Sequence, residues 1–435
     1  MESLNDLHKM SALARASFYD LAASTIEKRN QALLRMSELL QENRDRIFQS
    51  NLEDLKQAEA EGLAAPLLHR LKFQEEKMNQ VCSGLSSLSA LPDPIGRTNL
   101  ATEITEGLNL YRVICPIGVI GVIFESRPDA LIQIASLCIK SGNAVLLKGG
   151  REALRTNAEL TAVVRRACED TGFSPDCAQL LESRDDVAAM LKEDELIDLI
   201  IPRGSNAFVR YIMDNSRIPV LGHADGVCHV YIDRDADPEM AIKVTVDSKT
   251  QNVSVCNAAE TLLIHEDCAE ALLPRIAESL RDKGVEIRGD EKSRKMIECR
   301  MASEEDWKKE YLDMIISVRV VPSLREAIDH INHFGSHHTD TIVTENAETA
   351  AEFLNQVDSS GVYWNVSTRF SDGFVYGFGA EVGIATGKLH ARGPMGLEGL
   401  TTYKYKLIGK GHTMSEMKSG NLEYTHKPLN EQCPV

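Results

Sequence analysis

GVIGVIFESRPDALIQIASLCIKSGNAVLLKGG, residues 118–150, decides the fold. It opens with a short β-branched run, GVIGVIF, apolar at both alternations, as a strand covered on both faces must be. DALIQIASLCIKSG then carries helical apolar spacing and stops at Gly142, and NAVLLK is a second buried run. Strand, crossover helix and strand within one short segment predict a β-α-β unit with parallel strands.

The alternation continues downstream. TNAELTAVVRRACEDTG reads as a helix closed by Gly172, AQLLE as a strand, the residues after Arg184 as a helix and LIDLIIP as a strand. A second series follows PVLGHADGVCHVYID: the helix PEMAIKVTVDSK, the strand TLLIH, the helix CAEALLPRIAESLRDKG, then VEIRG, ISVRVV, SLREAIDHINHF, TIVT, a helix near 347–356 and GVYWNV. Two α/β domains in series are expected, joined near 222–232, with ligands in the cleft between them. Upstream, residues 1 to about 90 read as helices, with Ser24 and Glu27 as a capping box. LATEITEGLNLYRVICP alternates like a two-stranded ribbon turning at Gly107. The last stretch, MSEMKSGNLEYTHKPLNEQCPV, lacks apolar periodicity and is expected to be a surface extension or partly disordered.

At 435 residues, 43% hydrophobic and 26% charged, the chain is an ordinary globular protein with room for two or three domains. A net charge of −17 opposes affinity for nucleic acid or anionic membrane, so a small anionic ligand needs a local basic site. MESLNDLHKM has acids early and no apolar core, which fits neither a secretory signal nor a transit peptide, and VICPIGVIGVIF is too short to span a bilayer. Ten cysteines between Cys82 and Cys433 form no C-x-x-C pair, so reduced thiols in the cytoplasm and no metal are expected.

Five segments bear on chemistry. In QNVSVCNAAETLLIH, residues 251–265, Cys256 sits on an irregular segment just before a buried strand, although most cysteines are inert packing. Lys148 stands directly off a buried strand, where it either meets a nucleotide or is merely solvated. In LIIPRGSNAFVRYIMDN, Gly204 permits a turn and Ser205 caps a helix whose N–H groups suit a pyrophosphate, if this is more than an ordinary connection. Arg127, in FESRPD, offers a fork for carboxylate or phosphate, or a salt bridge with Glu125 or Asp129. Between Trp364 and Leu400 a glycine-rich loop carries Asn365, Ser367, Thr368, Arg369, Ser371 and Arg392, too polar for core and suited to holding an anion. No G-x-G-x-x-G or G-x-x-x-x-G-K-[ST] occurs.

GVIFESRP, IKSGNAVLLKGG, LIIPRGSNAFVR, IPVLGHADGVCHVYID, CNAAETLLIH, VPSLREAIDHINHFGSHHTDTIVTE and WNVSTRFSDG through HARGPMGLEGL resemble the gamma-glutamyl phosphate reductases of the aldehyde dehydrogenase superfamily, over residues 5 to about 411. With no amino-acid kinase segment in front, the free-standing reductase is expected. The resemblance implies an aldehyde dehydrogenase-like α/β fold of two domains with parallel sheets plus a small β-ribbon for oligomerisation. It implies an NADPH-binding domain over 1–96 and 113–224, the ribbon over 97–112 and 396–411, a catalytic domain over 225–395 and a C-terminal extension over 412–435.

For the site it implies Cys256 as nucleophile with Asn257 beside it, Lys148 at the adenosine ribose, Gly204 and Ser205 near the pyrophosphate and Glu310 at the nicotinamide ribose. The substrate, L-glutamyl 5-phosphate, would meet Arg127, Asn365, Ser367, Thr368, Arg369 and Ser371, with the division of labour between the arginines open. Relatives that oxidise aldehydes carry a glutamate base some thirty residues before the cysteine, where this chain has Gly222, His223, Ala224 and Asp225. An acyl phosphate reduced through a thioester needs no such base. The resemblance also implies a homo-oligomer, dimer or tetramer, and a functional association with glutamate 5-kinase. An aldehyde-oxidising dehydrogenase of the same fold and a non-catalytic binding protein are the rival readings.

Overall fold

The computed structural model describes residues 2–182, 185–223, 225–378, 381–389, 391–420 and 422–435. Ala178–Leu180, Ala144–Lys148, Val119–Phe124 and Leu199–Arg203 form one parallel sheet in that spatial order. All residues of Val119–Phe124 and Ala144–Lys148 are buried, as the unbroken apolar runs require. Chain order and spatial order part between Val119–Phe124 and Leu199–Arg203, a topological switch point. Helices Pro128–Lys140 and Leu154–Asp170 cover this sheet and share one core with the N-terminal helices.

Those first helices run Glu2–Ala22, Ile26–Glu42, Arg44–Ala60, Ala65–Leu71 and Glu75–Ala90. The capping box expected of Ser24 and Glu27 is displaced by one residue. Ser24 Oγ donates to Leu21 O at 2.6 Å and so finishes the preceding helix, which leaves Thr25 to accept from Lys28 N at 3.4 Å. Arg184, the predicted lead-in to helix Asp185–Met190, lies outside the described residues.

The second sheet has seven parallel strands: Arg300–Met301, Glu286–Gly289, Ile315–Val321, Ala259–His265, Cys228–Ile232, Thr339–Val343 and Gly361–Trp364, in spatial order. Helices Pro238–Thr250 and Glu266–Asp282 pack on one face, Leu324–Phe334 and Ala347–Gln356 on the other. The two sheets have separate cores. Val382, Ala385, Met395, Leu397 and Leu400 belong to the first, so the chain leaves the first half near 221–227 and returns near 381–385.

A third, antiparallel sheet holds Thr401–Ile408, Leu108–Pro116, Thr98–Thr105 and Lys427–Pro428. The hairpin turns at Gly107, whose φ of 76° suits glycine. The carboxyl-terminal stretch is a surface extension, and backbone bonds hold it to the sheet. Lys427 and Pro428 pair with Glu103 and Thr102, Leu429 N donates to Ala101 O at 2.9 Å, and Cys433 N donates to Thr98 Oγ1 at 2.8 Å. An edge strand held by backbone bonds needs no hydrophobic alternation, and so leaves no periodic trace. Among the described residues no helix is long and apolar enough to cross a membrane.

Candidate active site

The carboxyl edge of the four-stranded sheet faces the amino edge of the seven-stranded one. Glu125, Ser126 and Arg127 follow strand Val119–Phe124, and Gly204, Ser205 and Asn206 follow Leu199–Arg203. Opposite them Cys256 and Asn257 precede Ala259–His265. All eight, with Glu310, Arg369 and Ser371, line one cavity of about 780 Å3. Ser126 takes a left-handed φ of 47°, held there by Glu152 Oε1, which accepts from its N–H and its hydroxyl at 2.6 and 2.7 Å.

Cys256 is half-buried, and among the ten cysteines it alone lines this cavity. Its backbone is fixed from three sides. A Cβ on Gly226 would stand 2.1 Å from Cys256 O, so only glycine lets the segment joining the two sheets approach so closely. Cys228 Sγ donates to Cys256 O at 3.3 Å. Asn257 Nδ2 donates to Ser371 O at 2.9 Å while Thr368 Oγ1 donates to Asn257 O at 2.7 Å, which ties the Cys256 segment to the glycine-rich loop.

On the other wall, Ser205 is the N-cap of helix Asn206–Asn215, and its N–H donates to Glu125 Oε2 at 3.2 Å. A Cβ on Gly204 would meet Glu125 Oε2 at 2.7 Å. Asn206 Nδ2 donates to Glu310 Oε2 at 2.5 Å and to Asp225 Oδ1 at 2.9 Å. Burial pushes the Glu310 carboxyl above its usual range, and the Asn206 bond opposes this. A switch-point crevice, a helix start and a cleft-facing carboxyl fit a dinucleotide, although Glu125 takes the Ser205 N–H here.

Arg70, Arg127, Arg203 and Arg369 line the same cavity, the local basic site that an acidic protein needs for an anion. Burial draws Arg70, Arg203 and Arg369 below their ordinary values, with the Arg127 charge adding to this at Arg70 and Arg203. An anion entering the cleft relieves both costs.

Several predicted residues stand elsewhere. Lys148 is buried at the same sheet edge, one strand from Ile123, with Nζ donating to Gly149 O at 2.7 Å; it is not among the cavity's lining residues. Asn365 is turned to Thr344, accepting from its N at 2.9 Å and donating to its O at 3.0 Å, at a φ of 60°. Ser367 Oγ meets Ser248 Oγ at 3.2 Å, and Thr368 holds Asn257, so both work behind the wall. Arg392 is drawn away by Asp358, 3.1 Å distant. Arg203 and His338 carry no motif in the sequence, and His223 stands there only as part of the segment that lacks the glutamate base. Arg203 ends a buried strand, a position that could have flagged it; the histidines matter only because distant segments bring them beside Cys256. Burial lowers the His223 imidazole below its usual range.

A thiol at the junction of two parallel α/β sheets, opposite a switch-point crevice, defines an aldehyde dehydrogenase-like fold. The aldehyde dehydrogenase family model matches residues 2–294. A gamma-glutamyl phosphate reductase of Acetivibrio thermocellus is 56% identical over 429 residues, 99% of this chain and 100% of that one. The crystal structure of the enzyme of that name from Thermotoga maritima superposes with a TM-score of 0.92 at 38% identity, covering 94% of this chain and 99% of that one. A glyceraldehyde-3-phosphate dehydrogenase from Methanocaldococcus jannaschii, solved with NADP, shares the fold at 13% identity and a TM-score of 0.66, covering 94% of this chain and 95% of that one. The chain belongs to the gamma-glutamyl phosphate reductase family, within the aldehyde dehydrogenases.

Proposed function

We propose that the protein reduces L-glutamyl 5-phosphate to L-glutamate 5-semialdehyde and phosphate, with NADPH as the hydride source, in proline biosynthesis. The observation that carries this is Cys256 opening onto a cleft shared by four arginines and the switch-point crevice. The Cys256 thiolate attacks the γ-carbonyl carbon. The carbon–oxygen bond to phosphate breaks, phosphate leaves with the electron pair, and a thioester to Cys256 remains. The backbone N–H groups of Cys256 and Asn257 receive the negative oxygen, each worth about 3 kcal/mol in such a hole. Arg127, Arg203 and Arg369 hold the phosphate and the α-carboxylate. A dihydronicotinamide held by Gly204, Ser205 and Glu310 would supply the hydride that the thioester carbon receives. The carbon–sulfur bond of the resulting thiohemiacetal then breaks, which frees the aldehyde and restores the thiolate.

Gly204, Ser205 and Glu310 are the residues suited to the dinucleotide. The segment where oxidising relatives carry a water-activating glutamate holds Gly222, His223 and Asp225 here, with Ala224 outside the described residues. Asp225 is occupied by Asn206 and by Arg210, each at 2.9 Å, so it is poorly placed to serve as a base that would waste the thioester on water. Exposed Tyr403, Tyr405 and Leu407 on strand Thr401–Ile408 favour the antiparallel sheet as the surface of a homo-oligomer. The ten free thiols suit the cytoplasm, and the unstable acyl phosphate favours association with the glutamate 5-kinase that makes it.

The test is the reverse assay. With glutamate semialdehyde and NADP+, reduction of NADP+ should require orthophosphate, and Cys256→Ser should lose at least about 1,000-fold in turnover while still binding NADPH. Phosphate-independent NADP+ reduction, or an active Cys256→Ser enzyme, refutes the reading.

A further inference from the structure

One ring nitrogen of His223, one of His338 and the sulfur of Cys256 all lie within 4.8 Å of one another. The three come from the segment joining the two sheets, the residue before strand Thr339–Val343, and the turn before Ala259–His265, so no spacing motif could reveal them. Their environments match. His223 Nδ1 is 2.7 Å from Ile384 O, a pure acceptor, so Nδ1 carries the proton and Nε2 keeps its lone pair. His338 Nδ1 is engaged by Thr339 Oγ1 at 2.9 Å, with Cys228 Sγ at 3.7 Å. His338 is fully buried, and its Nε2 has no hydrogen-bond partner among the described residues. The two rings meet edge to face with centroids 4.8 Å apart.

An imidazole held at one nitrogen and open at the other, twice over beside a thiol, is the arrangement of a metal ligand set and its supporting shell. Zinc binds sulfur at about 2.3 Å and imidazole at about 2.0–2.1 Å, which puts neighbouring ligand atoms about 3.5 Å apart. Side-chain rotations closing the cluster by about 1 Å would suffice. We propose that His223, Cys256 and His338 form an inhibitory site for a thiophilic divalent cation, Zn2+ above all. On binding, the thiol proton passes to solvent, the sulfur and the two Nε2 atoms coordinate the metal, and a water fills the fourth position. The nucleophile's lone pair is then committed to the metal, and turnover stops until a chelator removes it. The inhibitory consequence rests on Cys256 being the nucleophile; the binding does not.

The test uses the full-length reduced enzyme, stripped with a chelator and titrated with Co2+ as a spectroscopic stand-in. One equivalent should give the ligand-field bands of tetrahedral cobalt with thiolate charge transfer, displaced by Zn2+, and Zn2+ should protect Cys256 from alkylation. Cys256→Ser should lose the charge-transfer band. His338→Gln should raise the Zn2+ concentration for half-inhibition at least about tenfold. A wild-type enzyme that binds no equivalent, or a Cys256→Ser spectrum identical to wild type, overturns the proposal; alkylation protection decides the matter if His338→Gln fails to fold. Should Cys256→Ser keep its turnover while losing the cobalt band, the nucleophile assignment falls and the metal site stands.

Discussion

A methyl group at position 226 would lie 2.1 Å from the Cys256 carbonyl oxygen and 2.7 Å from its carbonyl carbon and Cα. These are backbone atoms, so no rotamer change relieves the contact. Gly226→Ala should therefore push the backbone at Cys256, and with it the N–H groups of Cys256 and Asn257, by a good part of an ångström. Misplacement on that scale costs about 100-fold in rate, so kcat should fall by that order beside an unchanged circular dichroism spectrum. A variant with wild-type kcat would show that the segment is not held where catalysis needs it. Arg203 poses the opposite case, a cation whose neighbours include Arg127 and whose burial is tolerable because the site is built for an anion.

Among the elements, helix Leu324–Phe334 carries an acid-sensitive residue in its buried stripe. Ser323 caps it by accepting from Glu326 N at 3.2 Å, and Ala327, Ile328 and Ile331 face the core. His330 joins them, packed on Trp307 and Phe334, with Nδ1 accepting from Arg319 NH1 at 2.8 Å and Nε2 buried without a partner among the described residues. Burial, with the charges of His229 and Arg319 adding to it, lowers its pKa from 6.5 to about 2. The unfolded chain takes up this proton first, so the contribution is intact above pH 6.5 and is lost as pH falls below it, by up to about 1.4 kcal/mol per unit. His330→Phe should flatten the loss of stability between pH 6.5 and 5, measured by urea unfolding; equal slopes in both proteins would rule His330 out as the sensor.

The same scale shows what the sequence made legible. Buried parallel strands such as Ala144–Lys148 are written as continuous apolar runs, and helices such as Pro128–Lys140 and Leu154–Asp170 as periodic stripes followed by a glycine at 142 and 172, so the α/β class with its parallel sheets could be read directly. The N-cap at Thr25 slipped by one because two helices compete for neighbouring hydroxyls. The short strands Ile384–Ala385 and Gly393–Pro394 have too few residues to make a pattern. At the site, Arg127, Gly204, Ser205, Cys256, Arg369 and Ser371 line one cavity and stand on sheet edges, a turn before a strand or a glycine-rich loop, which are local signals, whereas Asn257 and Glu310, which join them, rest on the family resemblance alone. Lys148 and Asn365 do not line the cleft, because a polar residue off a strand end can equally turn to nearby backbone, Lys148 to Gly149 and Asn365 to Thr344.

At the scale of the molecule, the carboxyl-terminal segment closes an edge. Without it, strand Thr98–Thr105 would present unpaired N–H and C=O groups, a template for another chain. Besides the backbone pairs, Thr98 N donates to Gln432 Oε1 at 2.9 Å and Tyr111 bonds Glu431. Deleting residues 424–435 should raise self-association beyond the native assembly, seen as larger species by light scattering, while the cleft chemistry continues. A truncated protein of unchanged mass distribution would mean that the edge is protected by other means.

The two passages of backbone between the halves run side by side, stitched by the bond from His223 to Ile384, and both border the thiol. Any rotation between the halves would have to turn about these two passages, which sets Cys256 beside the axis, where displacement is least.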